Sequence, residues 1–197
     1  MVELETPRGT ARAHLHPADA PRAALVLGHG AGGGVTAPDL VAATAAALAV
    51  DVTVALVEQP YRVAGRRSPA PAPQLDTAWL AVVEQLGAGA LSGLPLLVGG
   101  RSSGARVACR TAGAAGAVGV ICLAFPLRPP GRESAPSRLP ELEEVTVPTL
   151  VVQGEGDPFG MPPSSRLRTV VAVPGNHSLR AAAPVREAVQ DWLSQQL

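Results

Sequence analysis

Six short apolar runs limit what this chain can fold into: residues 23–28, 52–57, 94–99, 118–124, 149–153 and 169–173. Each is near-continuous rather than alternating, the pattern of a strand covered on both faces. Between them, residues 39–50, 75–86 and 103–112 have helical character. The closing stretch 184–197 is the clearest helix. Val185, Ala188, Val189, Trp192, Leu193 and Gln196 recur at i, i+3, i+4 spacing, with Glu187, Asp191 and Gln195 opposite and Pro184 in the first turn. Strands alternating with helices predict an α/β domain, a mostly parallel sheet with helices on both faces and right-handed crossovers. Two weaker strand candidates, 2–6 and 11–16, suit an antiparallel hairpin at one edge. The 197 residues fit a single domain, 1–197, without internal repeat or linker.

Composition narrows the partners. Sixteen basic residues, all Arg, balance sixteen acidic ones and are scattered along the chain, so neither nucleic acid nor an anionic membrane is expected as partner. Arg66 and Arg67 fall in a Pro-rich loop, 66–73, and a second Pro- and Arg-rich loop covers 127–140. No apolar stretch crosses a bilayer without Gly, Pro or charge. The opening residues lack a basic segment followed by an apolar one, so no export leader and a cytoplasmic location are expected. Cys109 and Cys122 fall in a helix and a buried strand, where they are expected as small apolar groups. There is no His-Glu-x-x-His and no cysteine pair at ligand spacing, so no metal or other cofactor is expected.

The third run leads straight into Gly100-Arg101-Ser102-Ser103-Gly104 and then a helix. A strand, a Gly-x-Ser-x-Gly turn and a helix place the serine at the tip of a sharp bend. With ten Ser and 21 Gly in the chain, the five-residue pattern alone arises by chance about 0.1 times. Two later segments give it weight. Asp157, in Gly154-Glu155-Gly156-Asp157, comes just after the fifth run, and His177, in Pro174-Gly175-Asn176-His177, just after the sixth. In an open parallel sheet functional groups collect at the carboxyl ends of strands. A serine hydroxyl needs a base, and the base needs an orienting carboxylate. Ser102, His177 and Asp157 fill these roles, with Glu155 a reserve acid. Gly100 and Gly104 flank the serine where a side chain would collide with a neighbouring strand or helix. The helix opening at Ser103 aims its positive end at the site.

The order Ser, Asp, His along nearly the whole chain resembles the α/β-hydrolase superfamily. The resemblance implies an α/β-hydrolase fold. It also implies an oxyanion hole made by the backbone N–H groups of Ala31, in the loop Gly28 to Gly34, and of Ser103. The loop after the fourth run is too short for a cap domain, so the chain is similar to the small cap-free, dienelactone-hydrolase-like branch. Those enzymes use Cys where this chain has Ser102. The segments Gly28 to Gly33, Phe125 to Gly131 and Gln153 to Gly160 look most like the hydrolase-like domain shared by testis-expressed proteins and a subunit of the NSL complex. Glu58, Tyr61, Phe125 and Leu127, at strand ends, are expected to shape the substrate pocket. The implied function is hydrolysis of small carboxylic esters or thioesters through an acyl-enzyme.

Two other readings are open on the sequence. A hydrolase-fold binding or scaffold protein fits the same resemblance, because fold does not fix activity. Gly28, Gly30 and Gly33 also spell Gly-x-Gly-x-x-Gly, with Glu58 placed as a ribose-binding acid would be; this dinucleotide reading leaves the Ser, Asp, His order unexplained.

Overall fold

Each of the six apolar runs becomes a strand in the computed structural model, which describes residues 1–132 and 134–197. In chain order the strands are β1 (Val2–Thr6), β2 (Gly9–His16), β3 (Ala23–Gly28), β4 (Val52–Glu58), β5 (Leu96–Arg101), β6 (Gly119–Leu123), β7 (Thr149–Gly154) and β8 (Arg168–Val173). They form one sheet in the order β1-β2-β4-β3-β5-β6-β7-β8. Strands β3 to β8 are parallel. The hairpin β1-β2 lies at one edge and pairs antiparallel with β4.

Alternate residues of the central strands feed two separate cores. Val26, Val57, Val98 and Val120 face α3 (Ala72–Ala88) and α4 (Ser103–Thr111), meeting Trp79, Val82 and Ala105. Leu25, Val54, Ile121 and Leu150 face α1 (Pro38–Leu48) and α6 (Ala182–Gln196), meeting Leu40, Ala43, Val189 and Leu193. Both faces of these central strands are dry, which is why they carry no alternation. Arg110 grips Asp76 with two N–H donors at 2.6 and 2.9 Å, and Arg106 grips Glu141 at 2.6 and 2.8 Å. These pairs fix α4 to α3 and to the short helix α5 (Leu139–Glu143). Cys109 and Cys122 are buried with sulfurs 3.4 Å apart; the facing thiol and burial push the Cys122 thiol well up from its ordinary range.

Several boundaries depart from expectation. β5 starts at Leu96 rather than at residue 94, since Pro95 has no N–H to give; its carbonyl still accepts from Ala24 at 2.9 Å. Helix α3 begins at Ala72, inside the Pro-rich loop, because Pro73 sits in the first turn, where a missing N–H costs nothing. The one-turn helix α2 (Pro60–Val63) and α5 are too short to show periodicity. β8 was expected to be covered on both faces, but it is the sheet's last strand, and Thr169 and Ala172 are exposed. Among the described residues no helix is long and apolar enough to cross a membrane. None of their His, Cys, Asp and Glu side chains cluster so as to hold a metal ion.

Candidate active site

The turn from β5 to α4 compels Ser102 into an unusual backbone, φ 52° and ψ −108°. Such a conformation costs about 1–3 kcal/mol and survives only where its surroundings enforce it. Here the enforcement comes from close approach. A Cβ on Gly100 would stand 2.5 Å from the Gly28 carbonyl oxygen, and one on Gly104 would meet the same carbonyl. The loop after β3 therefore lies directly on the turn. Ser102 N–H donates to the Leu123 carbonyl at 2.8 Å, tying the turn to β6 as well. Ala124 (φ 50°) and Leu179 (φ 43°), both at ends of neighbouring segments, share this left-handed strain.

Three of the expected side chains meet above the sheet. Ser102 Oγ is 2.9 Å from His177 Nε2, and His177 Nδ1 is 2.8 Å from Asp157 Oδ2. The carboxylate only accepts, so Nδ1 carries the proton and Nε2 is free to accept from the serine. Asp157 is held in turn: Gln153 Nε2 donates to Oδ2 at 2.8 Å and the Phe159 N–H to Oδ1 at 2.9 Å. Gly154 ends β7 with no room for a side chain, because a Cβ there would lie 2.6 Å from the Asn176 carbonyl oxygen. The acid turn and the histidine turn thus pack backbone on backbone. Glu155 is exposed and makes no contact with His177; its N–H donates to the Val173 carbonyl at 2.9 Å.

The Gly-rich loop is organised by His29. This histidine is buried, which lowers its proton affinity below the ordinary value of 6.5. Its Nε2 accepts from the Gln59 N–H at 3.1 Å, so the proton sits on Nδ1, which donates to the Gly30 carbonyl at 2.8 Å. Gly33 N–H reaches the same carbonyl at 3.3 Å. A fixed carbonyl fixes its whole peptide plane, and the N–H of Ala31 points away from it on the opposite side. Gly30 lies over the serine: a Cβ there would be 3.7 Å from Ser102 Cβ. Ser103 is the first residue of α4, whose opening amides have no partner within the helix, and Ala31 follows Gly30 in the loop that lies over Ser102. Both ring nitrogens of His29 are thus engaged in holding the loop.

The expected pocket residues fare differently. Tyr61 is buried and its hydroxyl donates to the Ala31 carbonyl at 3.0 Å, while burial pushes its phenol above the ordinary range. It walls a cavity of about 410 Å³ that also touches Arg8, Gln59, Val63, Arg66 and Leu75 but not Ser102 or His177. Leu127 is half-buried beside Gly160, in the acid turn. Glu58 is engaged elsewhere: its carboxylate lies 3.0 Å from His14 Nε2 on the neighbouring strand β2. Phe125 is fully buried in the core under α3 and α4 and offers no surface to a ligand, because a phenyl ring gains more there than at a strand end.

Two residues at the site went unsuspected in the sequence. The Phe159 ring lies on the His177 ring, centroids 4.1 Å apart and planes at 33°. Its place two residues after Asp157 was the available signal. Arg101, just before Ser102, donates from Nη2 to the His177 carbonyl at 3.0 Å.

The dinucleotide reading does not survive the loop. The helix after a phosphate-binding glycine loop opens at the loop itself, but α1 starts only at Pro38. Gly28 answers to Trp79 and Gly104, Gly33 faces open space, and Glu58 is paired with His14.

The family described as an alpha/beta hydrolase domain matches residues 21–187. Solved structures share the fold. One is XC6422 of Xanthomonas campestris, an a/b serine hydrolase without lid, at 19% identity and TM-score 0.80, with 100% of this chain and 94% of that chain covered. Another is Est1E of Butyrivibrio proteoclasticus with ferulic acid bound, at 16% identity and TM-score 0.80, with 100% and 99% covered. A third is the dienelactone hydrolase of Anabaena variabilis, at 14% identity and TM-score 0.75, with 98% and 95% covered. No curated protein matches the sequence.

Proposed function

The chain belongs to the alpha/beta hydrolase domain family, and on that premise we propose that it is a serine hydrolase cleaving carboxylic esters or thioesters of small substrates. One observation carries this reading: the unbroken line from Ser102 Oγ to His177 Nε2 (2.9 Å) and from His177 Nδ1 to Asp157 Oδ2 (2.8 Å). Ser102 Oγ attacks the ester carbonyl carbon as its proton passes to His177 Nε2. Asp157 stabilises the imidazolium without taking the proton. The tetrahedral oxyanion is met by the N–H groups of Ala31 and Ser103, at the positive end of α4. The carbon–oxygen or carbon–sulfur bond then breaks, and the proton on His177 goes to the departing alcohol or thiol. Water repeats the sequence on the acyl-serine, giving the acid and restoring Ser102.

Exposure supports an open site. Ser102 and His177 are half-buried at the surface and no inserted domain covers them. Resemblance of the Gly28, Phe125 and Gln153 segments to the testis-expressed and NSL-subunit domain supports a place in that branch of the family.

The test is labelling by a fluorophosphonate together with turnover of p-nitrophenyl acetate and an acyl thioester. Wild type is expected to label and turn over, and Ser102→Ala and His177→Ala to do neither. A folded wild type that does not label, or a Ser102→Ala protein with full turnover, would overturn the reading. In the first case a binding or scaffold role takes its place.

A further inference from the structure

Arg101 stands where four pieces of the site meet. It ends β5 and adjoins Ser102 in sequence. Its Nε lies 2.8 Å from Oδ2 of Asp39, in the first turn of α1. Its Nη2 donates to the His177 carbonyl at 3.0 Å, and its Nη1 occupies the space beside Gly30, where a Cβ would come within 2.8 Å. We infer that the buried Asp39–Arg101 pair is a positioning device that sets the backbone of His177 and the turn at Gly30, and so governs the rate of the proposed hydrolysis without touching substrate. The inference rests on the serine-hydrolase reading for its effect on rate, but its structural part stands apart from it.

The chemistry of the pair suits that task. Asp39 is wholly buried, and a buried carboxylate is tolerated only beside a counter-charge. Its Oδ1 accepts the Leu40 N–H at 2.9 Å. Its Oδ2 lies 2.8 Å from Arg101 Nε, closing the ion pair. Asp39 thus anchors the charge and leaves the Nη donors of the fork for other partners. A guanidinium is planar with its donors at fixed angles, so anchoring one edge orients the rest.

His177 needs such an anchor. Its ring is fixed by Asp157 and Phe159, but the turn that carries it, Pro174 to Asn176, is exposed. Arg101 supplies a side-chain hold on the His177 backbone itself. The same guanidinium fills the space that makes Gly30 a glycine, and Gly30 carries the peptide plane of the Ala31 amide. Base and oxyanion loop are therefore registered against one rigid group next to the nucleophile.

Arg101→Lys separates this role from simple charge balance. Lysine keeps a cation for Asp39 but replaces the fixed fork with a point charge. Three measurements are made on wild type, Arg101→Lys, Arg101→Met and Asp39→Asn: the thermal melt, kcat and KM on p-nitrophenyl acetate, and the downfield proton resonance of His177 Nδ1–H, assigned by its absence in His177→Gln. Arg101→Lys is expected to melt as wild type does, lose about 10- to 100-fold in kcat with KM within twofold, and show the resonance shifted or broadened, because sub-ångström misplacement acts on the chemical step. Arg110→Lys, altered in the Asp76 pair away from the site, is expected to keep kcat. Should Arg101→Met fail to fold, Arg101→Lys and Asp39→Asn carry the test. A folded Arg101→Lys with kcat within twofold of wild type and an unchanged resonance overturns the inference, as does a loss confined to KM. If wild type neither labels nor turns over while the resonance still moves in Arg101→Lys, the clamp stands and the hydrolase reading is what fails.

Discussion

Gly154→Ala is a change of one methyl group that should disable the site from behind. Gly154 ends β7, three residues before Asp157, and faces the turn that carries His177. The new Cβ would lie 2.6 Å from the Asn176 carbonyl oxygen, 2.8 Å from its carbon and 2.9 Å from the Gly175 oxygen. Ordinary contact begins at 3.4 Å, so the turn must retreat by about 0.8 Å. All three neighbours are backbone, so no side chain can swing aside. Overpacking of this kind costs about 1–3 kcal/mol of stability. The larger effect falls on geometry. His177 moves with Asn176, and its two hydrogen bonds, 2.8 and 2.9 Å long, cannot both survive such a shift. A displacement near 1 Å lowers rate by about 100-fold. The assay is kcat/KM on p-nitrophenyl acetate beside a thermal melt, with Gly113→Ala as control, since a Cβ there meets nothing within 4 Å. Gly154→Ala is expected to lose about two decades of kcat/KM while still melting cooperatively. A protein with wild-type melting and kcat/KM within threefold would refute the reasoning.

Three further outcomes are expected. Burial lowers the proton affinity of His29 below 6.5, so between that lowered value and 6.5 the unfolded chain takes a proton the native state refuses. His29 thus contributes stability that is full above pH 6.5 and is lost as pH falls through the lowered value. Urea unfolding of wild type should weaken as pH falls below 6.5 by up to about 1.4 kcal/mol per pH unit from this group, and His29→Gln should flatten the slope; equal slopes would refute it. Arg110→Met removes the two-point grip on Asp76 and should lower the urea midpoint by the equivalent of about 1–3 kcal/mol with m unchanged and kcat/KM unaffected. NAD, NADP and nucleotides should leave the melting temperature unmoved, since a ligand of the native state would raise it.

How much of this was legible in the sequence differs by residue. The strands were legible because both their faces are dry, so apolar runs appear without interruption. β8 misled because it is equally apolar, and nothing local says that a strand is the last one in a sheet. The catalytic candidates were legible because glycines mark backbone crowding, and Gly100 and Gly104 are crowded by Gly28 as their spacing implied. Glu58 and Phe125 were misplaced for a different reason. A strand end determines which side of the sheet a residue is on, but whether a side chain turns to the cleft, to the core or to a neighbouring strand depends on partners distant in sequence. His14 lies 44 residues from Glu58. Arg101 was hidden similarly, since its partners Asp39 and His177 are far apart along the chain and an arginine before a turn reads as solvated.

The short link between β6 and α5, residues 124–138, carries a kinetic consequence. Where a lid must close and reopen, that motion often limits turnover. With no inserted domain over Ser102, the proposed hydrolysis has no cap to open before product leaves. Under the proposed mechanism, kcat/KM should then follow the acidity of the leaving group and ignore the viscosity of the solvent.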